Sequence, residues 1–144
     1  MPRRPLNILL VDDDAEDLEL MRGALERAAR PLRLDSAGNG EQALSILRKE
    51  GPYSGAPDPD LILLDLNMPV MDGRQLLRAL KRDEAFKRIP VLVLTTSGAE
   101  ADVAETYGLG ANCYITKPAG LAGLYKVADA IEAFWMTAVR LPGV

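Results

Sequence analysis

Five short apolar runs, each followed by a longer stretch with apolar residues at helical spacing, divide this chain into five strand-helix units. Strands joined through helices pair side by side in parallel and need helices over both faces of their sheet. The runs are residues 7–11, 32–37, 61–64, 91–94 and 113–116, and the third is apolar throughout, as a central strand covered on both faces requires. Behind the first run, Leu18, Met21, Leu25 and Ala28 share a helical face while Glu16, Asp17, Glu26 and Arg27 lie elsewhere, with Asp14 as N-cap. Gly38, Asn39 and Gly40 make a turn into a second helix with Ala43, Leu44 and Leu47 inward, and Asp72 caps a third that carries Leu76, Leu77 and Leu80. The fourth helix, residues 97–107, has little apolar face beyond Val103 and Ala104 and is expected to be loosely held. Residues 51–59, rich in proline and glycine, are expected to form a loop.

Four of the five runs end in residues that carry chemistry: Asp12 and Asp13 after the first, Asp65 after the third, Thr95 after the fourth and Lys117 after the fifth. In a doubly wound parallel sheet the carboxyl ends of the strands border one crevice, so these residues become neighbours. Carboxylates packed together repel one another unless a cation lies between them, and hard divalent metals take oxygen ligands. The pattern predicts a magnesium-assisted phosphoryl site. Asp65 is the candidate nucleophile, able to carry a phosphoryl group as an acyl phosphate. Asp13 and Asp65 are expected to ligate Mg2+ at roughly 2.0–2.1 Å, with Asp12 a third ligand or the holder of a metal-bound water. Lys117 supplies a fixed positive charge and Thr95 a hydroxyl donor to the phosphoryl oxygens. A cis bond before Pro118 would aim Lys117 inward. Taken singly these signals are weak, since an aspartate run before a helix is ordinarily a cap. Their joint placement at strand ends is what points to a site.

Composition narrows the partners. At 144 residues the chain is expected to be one domain over 1–144, with a core of about 6–139 and no output domain. A net charge of −4 provides no cationic field for nucleic acid, so direct DNA binding is not expected. The absence of histidine removes histidine phosphorelay from this chain, so any phosphohistidine belongs to a partner. Met1 to Pro5 carry Arg3 and Arg4, but three aspartates interrupt the apolar stretch behind them, which argues against an export signal. No run approaches the roughly 18 apolar residues of a membrane span. The single Cys113 reads as a small core residue, which fits a reducing cytoplasm.

The segments Ile8-Leu9-Leu10-Val11-Asp12-Asp13, Leu63-Leu64-Asp65-Leu66-Asn67-Met68-Pro69 with Asp72-Gly73, Val93-Leu94-Thr95 and Tyr114-Ile115-Thr116-Lys117-Pro118 resemble the signatures of bacterial two-component response-regulator receiver domains. That resemblance covers about residues 6–139. It implies a flavodoxin-like (βα)5 fold with a five-stranded parallel sheet in the order 2-1-3-4-5. It also implies that a sensor histidine kinase phosphorylates Asp65 and that the Asn67 backbone carbonyl completes the magnesium shell. Thr95 would then follow the phosphoryl group while Tyr114 turns inward behind it as a switch. Asn67 and Ser97, flanking the route of an attacking water, would tune hydrolysis, and Thr96, standing where alanine or serine is usual, would narrow access to Asp65. The 51–59 loop, the 107–114 segment and the tail from Phe134-Trp135 to Leu141-Pro142 are similar to single-domain regulators paired with bacterial phytochrome kinases.

The last helix, residues 121–139, is more apolar than a surface helix needs. Leu124, Val127, Ala128, Ile131, Trp135 and Ala138 form one stripe, and Phe134, Met136, Val139 and Leu141 widen it. An interface through Leu124, Ile131, Phe134, Trp135 and Val139, making a homodimer over the fourth and fifth helix face, is the resulting expectation. The competing classes are a magnesium-dependent aspartyl phosphatase of the haloacid-dehalogenase type and a binding module that is never phosphorylated. Asn67 stands where the phosphatase pattern has a second aspartate, and a full acidic set is surplus to a binding module. The chain is therefore expected to catalyse only its own phosphorylation and dephosphorylation.

Overall fold

A computed structural model describes residues 4–144 and repeats the strand-helix unit five times. The elements are β1 (Leu6–Val11), α1 (Ala15–Leu25), β2 (Leu32–Ala37), α2 (Gly40–Leu47), β3 (Leu61–Leu64), α3 (Gly73–Arg82), β4 (Val91–Thr95), α4 (Glu100–Gly108), β5 (Cys113–Thr116) and α5 (Leu121–Ile131). All pairings are parallel and the order is β2-β1-β3-β4-β5. Arg3 of the amino-terminal segment lies outside the described residues. No helix among the described residues is long and apolar enough to cross a membrane.

The central strands are apolar on both faces because each face meets a separate core. Leu9 and Val11 of β1, Ile62 and Leu64 of β3, and Val91 and Val93 of β4 pack with Leu44 and Leu47 of α2 and Leu76, Leu77 and Leu80 of α3. Their alternates Ile8, Leu10, Leu61, Leu63, Leu92 and Leu94 pack with Met21 and Leu25 of α1 and Ala128 and Ile131 of α5. Period-two alternation thus divides continuous apolar strands between two layers of helices. Asp14 caps α1 by accepting the Glu16 and Asp17 amides, and Asp72 forms a capping box with Gln75 on α3.

Within its elements the structure departs from sequence expectation at several places. Helix α4 starts at Glu100, three residues later than expected, and its buried residue is Thr106, whereas Ala104 is exposed. The Thr106 hydroxyl can be buried because it donates to the Asp102 and Val103 carbonyls. Residues 51–59 include a 3-10 turn at Gly51–Tyr53, with Tyr53 packed on the core and accepting a hydrogen bond from Gln42. Cys113 is half-buried rather than enclosed, since β5 is an edge strand. Beyond Ile131 the last helix continues as a π-helix, Glu132–Ala138. Its i to i−5 bonding, seen in Val139 N–H to Phe134 O at 2.7 Å, changes the phase of the apolar stripe. Met136 becomes the buried residue after Ile131, Trp135 is half-buried and Ala138 is exposed.

Candidate phosphoryl site

Sheet register brings the polar strand ends together. The backbone ladder runs one residue past the strands: the Asp12 N–H donates to Ala37 O at 3.0 Å, Asp65 to Val11 O at 2.9 Å, and Lys117 to Thr95 O at 2.7 Å. Asp12, Asp65, Thr95 and Lys117 are therefore fixed by the main chain at one edge, before any side-chain contact is considered.

At that edge the carboxylates of Asp12, Asp13 and Asp65 each offer an oxygen within 4.8 Å of the others. Lys117 Nζ donates to Asp12 Oδ2 at 2.6 Å, Asp17 Oδ2 at 2.9 Å and Asp65 Oδ2 at 3.3 Å. Asp12 is buried, Asp65 half-buried and Asp13 exposed, so the cluster opens to solvent on the Asp13 side. Burial pushes the Asp12 carboxyl up, past the opposing pull of the Lys117 ammonium and of the Asp14 amide bonded to Oδ1. Burial also pulls Lys117 down, but hydrogen bonds to Asp12 and Asp17 and the Asp65 charge overcome it, so its pKa lies above the ordinary lysine value. Lys117 therefore stays an ammonium. Its preceding contact with Thr95 is made with the Lys117–Pro118 bond trans, as all described peptide bonds are, so no cis bond is needed to turn it inward.

Thr95 is fully buried and its hydroxyl has no hydrogen-bond partner among the described residues. An orphaned buried hydroxyl costs free energy unless a ligand group satisfies it. Hard oxygen donors in a tight group, with such a hydroxyl at the same edge, fit a divalent cation and an anionic phosphoryl group. Asn67 is exposed two residues past Asp65, its N–H 3.5 Å from Asp65 Oδ1. The loop holding both folds back so closely that a Cβ at Gly73 would collide with the Asp65 carbonyl and Leu66 Cα, so only glycine fits.

The remaining named residues divide. Tyr114 is half-buried against the α2-α3 side of the core, and its hydroxyl donates to Ser97 O at 2.7 Å. The Ser97 hydroxyl donates to Asp102 Oδ2 at 2.5 Å, and Thr96 is exposed. On the last helix Ile131 lies in the core at 2% exposure and is not offered to a partner, because the α1-α5 packing encloses it. Leu124, Trp135 and Val139 are half-buried on that same core, while Phe134 is 57% exposed and meets Trp135 edge to face. The helical spacing leaves Asp17 off the apolar face of α1 and does not reveal its contact with Lys117. Its position in the first helical turn beside the aspartate run was the available signal. Arg74 and Asp102, which tie α3 to α4, gave no signal in spacing.

Residues 8–129 match the family model described as "Response regulator receiver domain". Response regulator Rcp1 of Synechocystis sp. is 44% identical over 138 residues, 96% of this chain and 94% of that protein. The crystal structure of the phosphorylated cyanobacterial phytochrome response regulator RcpA superposes with a TM-score of 0.92 at 44% identity, covering 97% of this chain and 100% of that one. The Mn2+-bound form of Rcp1 superposes at 0.90 with 43% identity, covering 96% and 100%.

Proposed function

This chain belongs to the response regulator receiver family and serves phosphorelay signal transduction, and from that premise we propose that it is a stand-alone, cytoplasmic regulator phosphorylated on Asp65. The donor is the phosphohistidine of a sensor histidine kinase, of the phytochrome class in view of the similarity to RcpA and Rcp1. The observation that carries the reading is the meeting of Lys117 with Asp12 and Asp65 at the edge where the Thr95 hydroxyl has no partner among the described residues.

In the transfer the phosphorus-nitrogen bond of the donor breaks as an Asp65 carboxylate oxygen bonds to phosphorus. Lys117 moves from balancing carboxylates to balancing a phosphoryl oxygen, and Thr95 donates its free hydroxyl to another. Asp12, Asp13, Asp65 and the Asn67 carbonyl would hold Mg2+, which when bound neutralises charge on the transferring oxygens. As Thr95 is drawn toward the phosphoryl group, Tyr114, whose hydroxyl donates to Ser97 O, turns inward behind it and passes the change to the α4-β5 surface. Asn67 and Ser97 tune hydrolysis. A second copy of the chain is the proposed partner at the α4-α5 face, where Tyr107, Leu121 and Phe134 are exposed, and nucleic acid is not a partner.

The test is an intact-protein mass spectrum after incubation with acetyl phosphate and Mg2+, beside Asp65→Asn. One added phosphoryl group, lost in the variant and without the metal, is expected. Repeated turnover of a phosphomonoester would indicate a phosphatase instead, and neither adduct from acetyl phosphate nor transfer from a phosphorylated kinase would leave only binding.

A further inference from the structure

Gly73 is pinned to the acceptor loop: its N–H donates to Leu66 O at 2.9 Å, and there is no room for a Cβ against the Asp65 backbone. The next residue, Arg74, leaves this anchored point for α4, where Nη2 lies 2.5 Å from Asp102 Oδ1 and Nε 3.1 Å from Glu105 Oε1. Asp102 uses its other oxygen to accept the Ser97 hydroxyl at 2.5 Å. Ser97 is held a second time through its carbonyl, which accepts from Tyr114 at 2.7 Å. Helix α4 has no side-chain cap of its own, because Ala99 occupies the N-cap, so the Asp102 contacts are what fasten its first turn to the loop before it. The side chains of Arg74 and Asp102 are 22% and 26% exposed, so solvent screens the pair less than it would an open surface bridge.

A closed path of contacts therefore runs from the Asp65 loop through Arg74, Asp102 and Ser97 to the strand end that carries Thr95. None of its side chains touches the Lys117 cluster among the described contacts. We infer that Arg74 and Asp102 are positioning residues for the phosphoryl site, committing the Ser97 hydroxyl to Asp102 and so lengthening the life of the phosphoryl group. This rests on the receiver reading above. In hydrolysis a water oxygen bonds to phosphorus, the bond from phosphorus to the Asp65 oxygen breaks, and inorganic phosphate leaves with both water protons while Asp65 returns as a carboxylate. On the receiver reading, which gives Ser97 a part in tuning hydrolysis, its hydroxyl is the group that steers that water. With its O–H donating to Asp102 and its oxygen near the Ala99 N–H at 3.4 Å, the Ser97 hydroxyl is withheld from it.

The experiment labels the full chain and its variants with acetyl phosphate and Mg2+, removes the donor, and follows loss of the added mass with time. Asp102→Ala and, from the other side of the pair, Arg74→Gln should each speed the loss by roughly three- to tenfold, the factor one net hydrogen bond supplies. In a Ser97→Ala background the effect of Asp102→Ala should shrink to less than about twofold, and in a Ser97→Thr background, which restores a hydroxyl, it should return. Equal acceleration in all three backgrounds would mean general loosening of α4 and would overturn the inference, as would unchanged rates in both Asp102→Ala and Arg74→Gln. An unmodified wild type, in contrast, would overturn the receiver reading beneath it.

Discussion

Lys117 balances three carboxylates at once, and Asp13 stands at the open side of the cluster without being one of them. A cation entering there relieves repulsion that one ammonium leaves uncancelled. Added Mg2+ should therefore raise the unfolding temperature of the wild type, by the equivalent of about 1.4 kcal/mol at ten times the dissociation constant. Asp13→Asn should abolish that rise while leaving metal-free stability nearly unchanged, and a retained rise in calorimetry would remove Asp13 from the ligand set. At the second charged centre, the Ser97 hydrogen bond and then Arg74 hold Asp102 below the ordinary carboxylate value of 3.8. A carboxyl depressed on folding stabilises the fold above its unfolded pKa and loses that contribution as pH falls through the lower folded value. Carbon-detected NMR titration should place the Asp102 midpoint below 3.8, moving up toward it in Ser97→Ala. A wild-type midpoint at or above the ordinary value would show the hydrogen bond absent in solution.

Between residues, the loop from β3 to α3 carries strain that sits next to the acceptor. Val70 has φ of 68°, a left-handed conformation in which its branched Cβ crowds the backbone, and its side chain is 74% exposed and so has little packing to offset the cost. Val70→Gly should stabilise the protein by about 1 kcal/mol in urea unfolding, the relief of strain exceeding the added chain entropy. Gly73→Ala should do the opposite, costing on the order of 3 kcal/mol because the new methyl group meets main chain that cannot yield. The π-helical turn gives a third contrast. Met136→Ala should cost on the order of 3 kcal/mol, since Met136 is 3% exposed in the core, whereas Ala138→Ser should change stability by less than about 0.5 kcal/mol. Equal effects would mean that the helix keeps a regular α phase in solution and buries Trp135 and Ala138 instead.

Taken whole, the molecule sets a sheet edge, where main-chain bonds position the site, beside an α4 tied to α3 by the Arg74–Asp102 pair and a terminal helix that leaves Phe134 exposed. If the exposed Phe134 belongs to an interface, Phe134→Glu should reduce self-association in sedimentation velocity by tenfold or more, roughly the effect of losing an aromatic anchor, and undiminished association would move the interface elsewhere. Much of this was legible in the chain. The apolar runs at 32–37, 61–64 and 113–116 coincide with strands, and Asp14 and Asp72 cap the helices they precede. These features depend on residues within one element or one turn, where periodicity and capping chemistry act. The polar strand ends were legible for a related reason, because a parallel sheet carries every strand terminus to the same edge whatever lies between. What only the folded chain decided were pairings between distant side chains: Asp17 with Lys117 across 100 residues, and Arg74 with Asp102 across 28. Nothing in the local pattern distinguishes such an aspartate from one facing water. The buried face of the terminal helix belongs with these, since one residue of π-helical phase turned Met136 inward and Ala138 out, a change that the spacing of apolar residues does not announce.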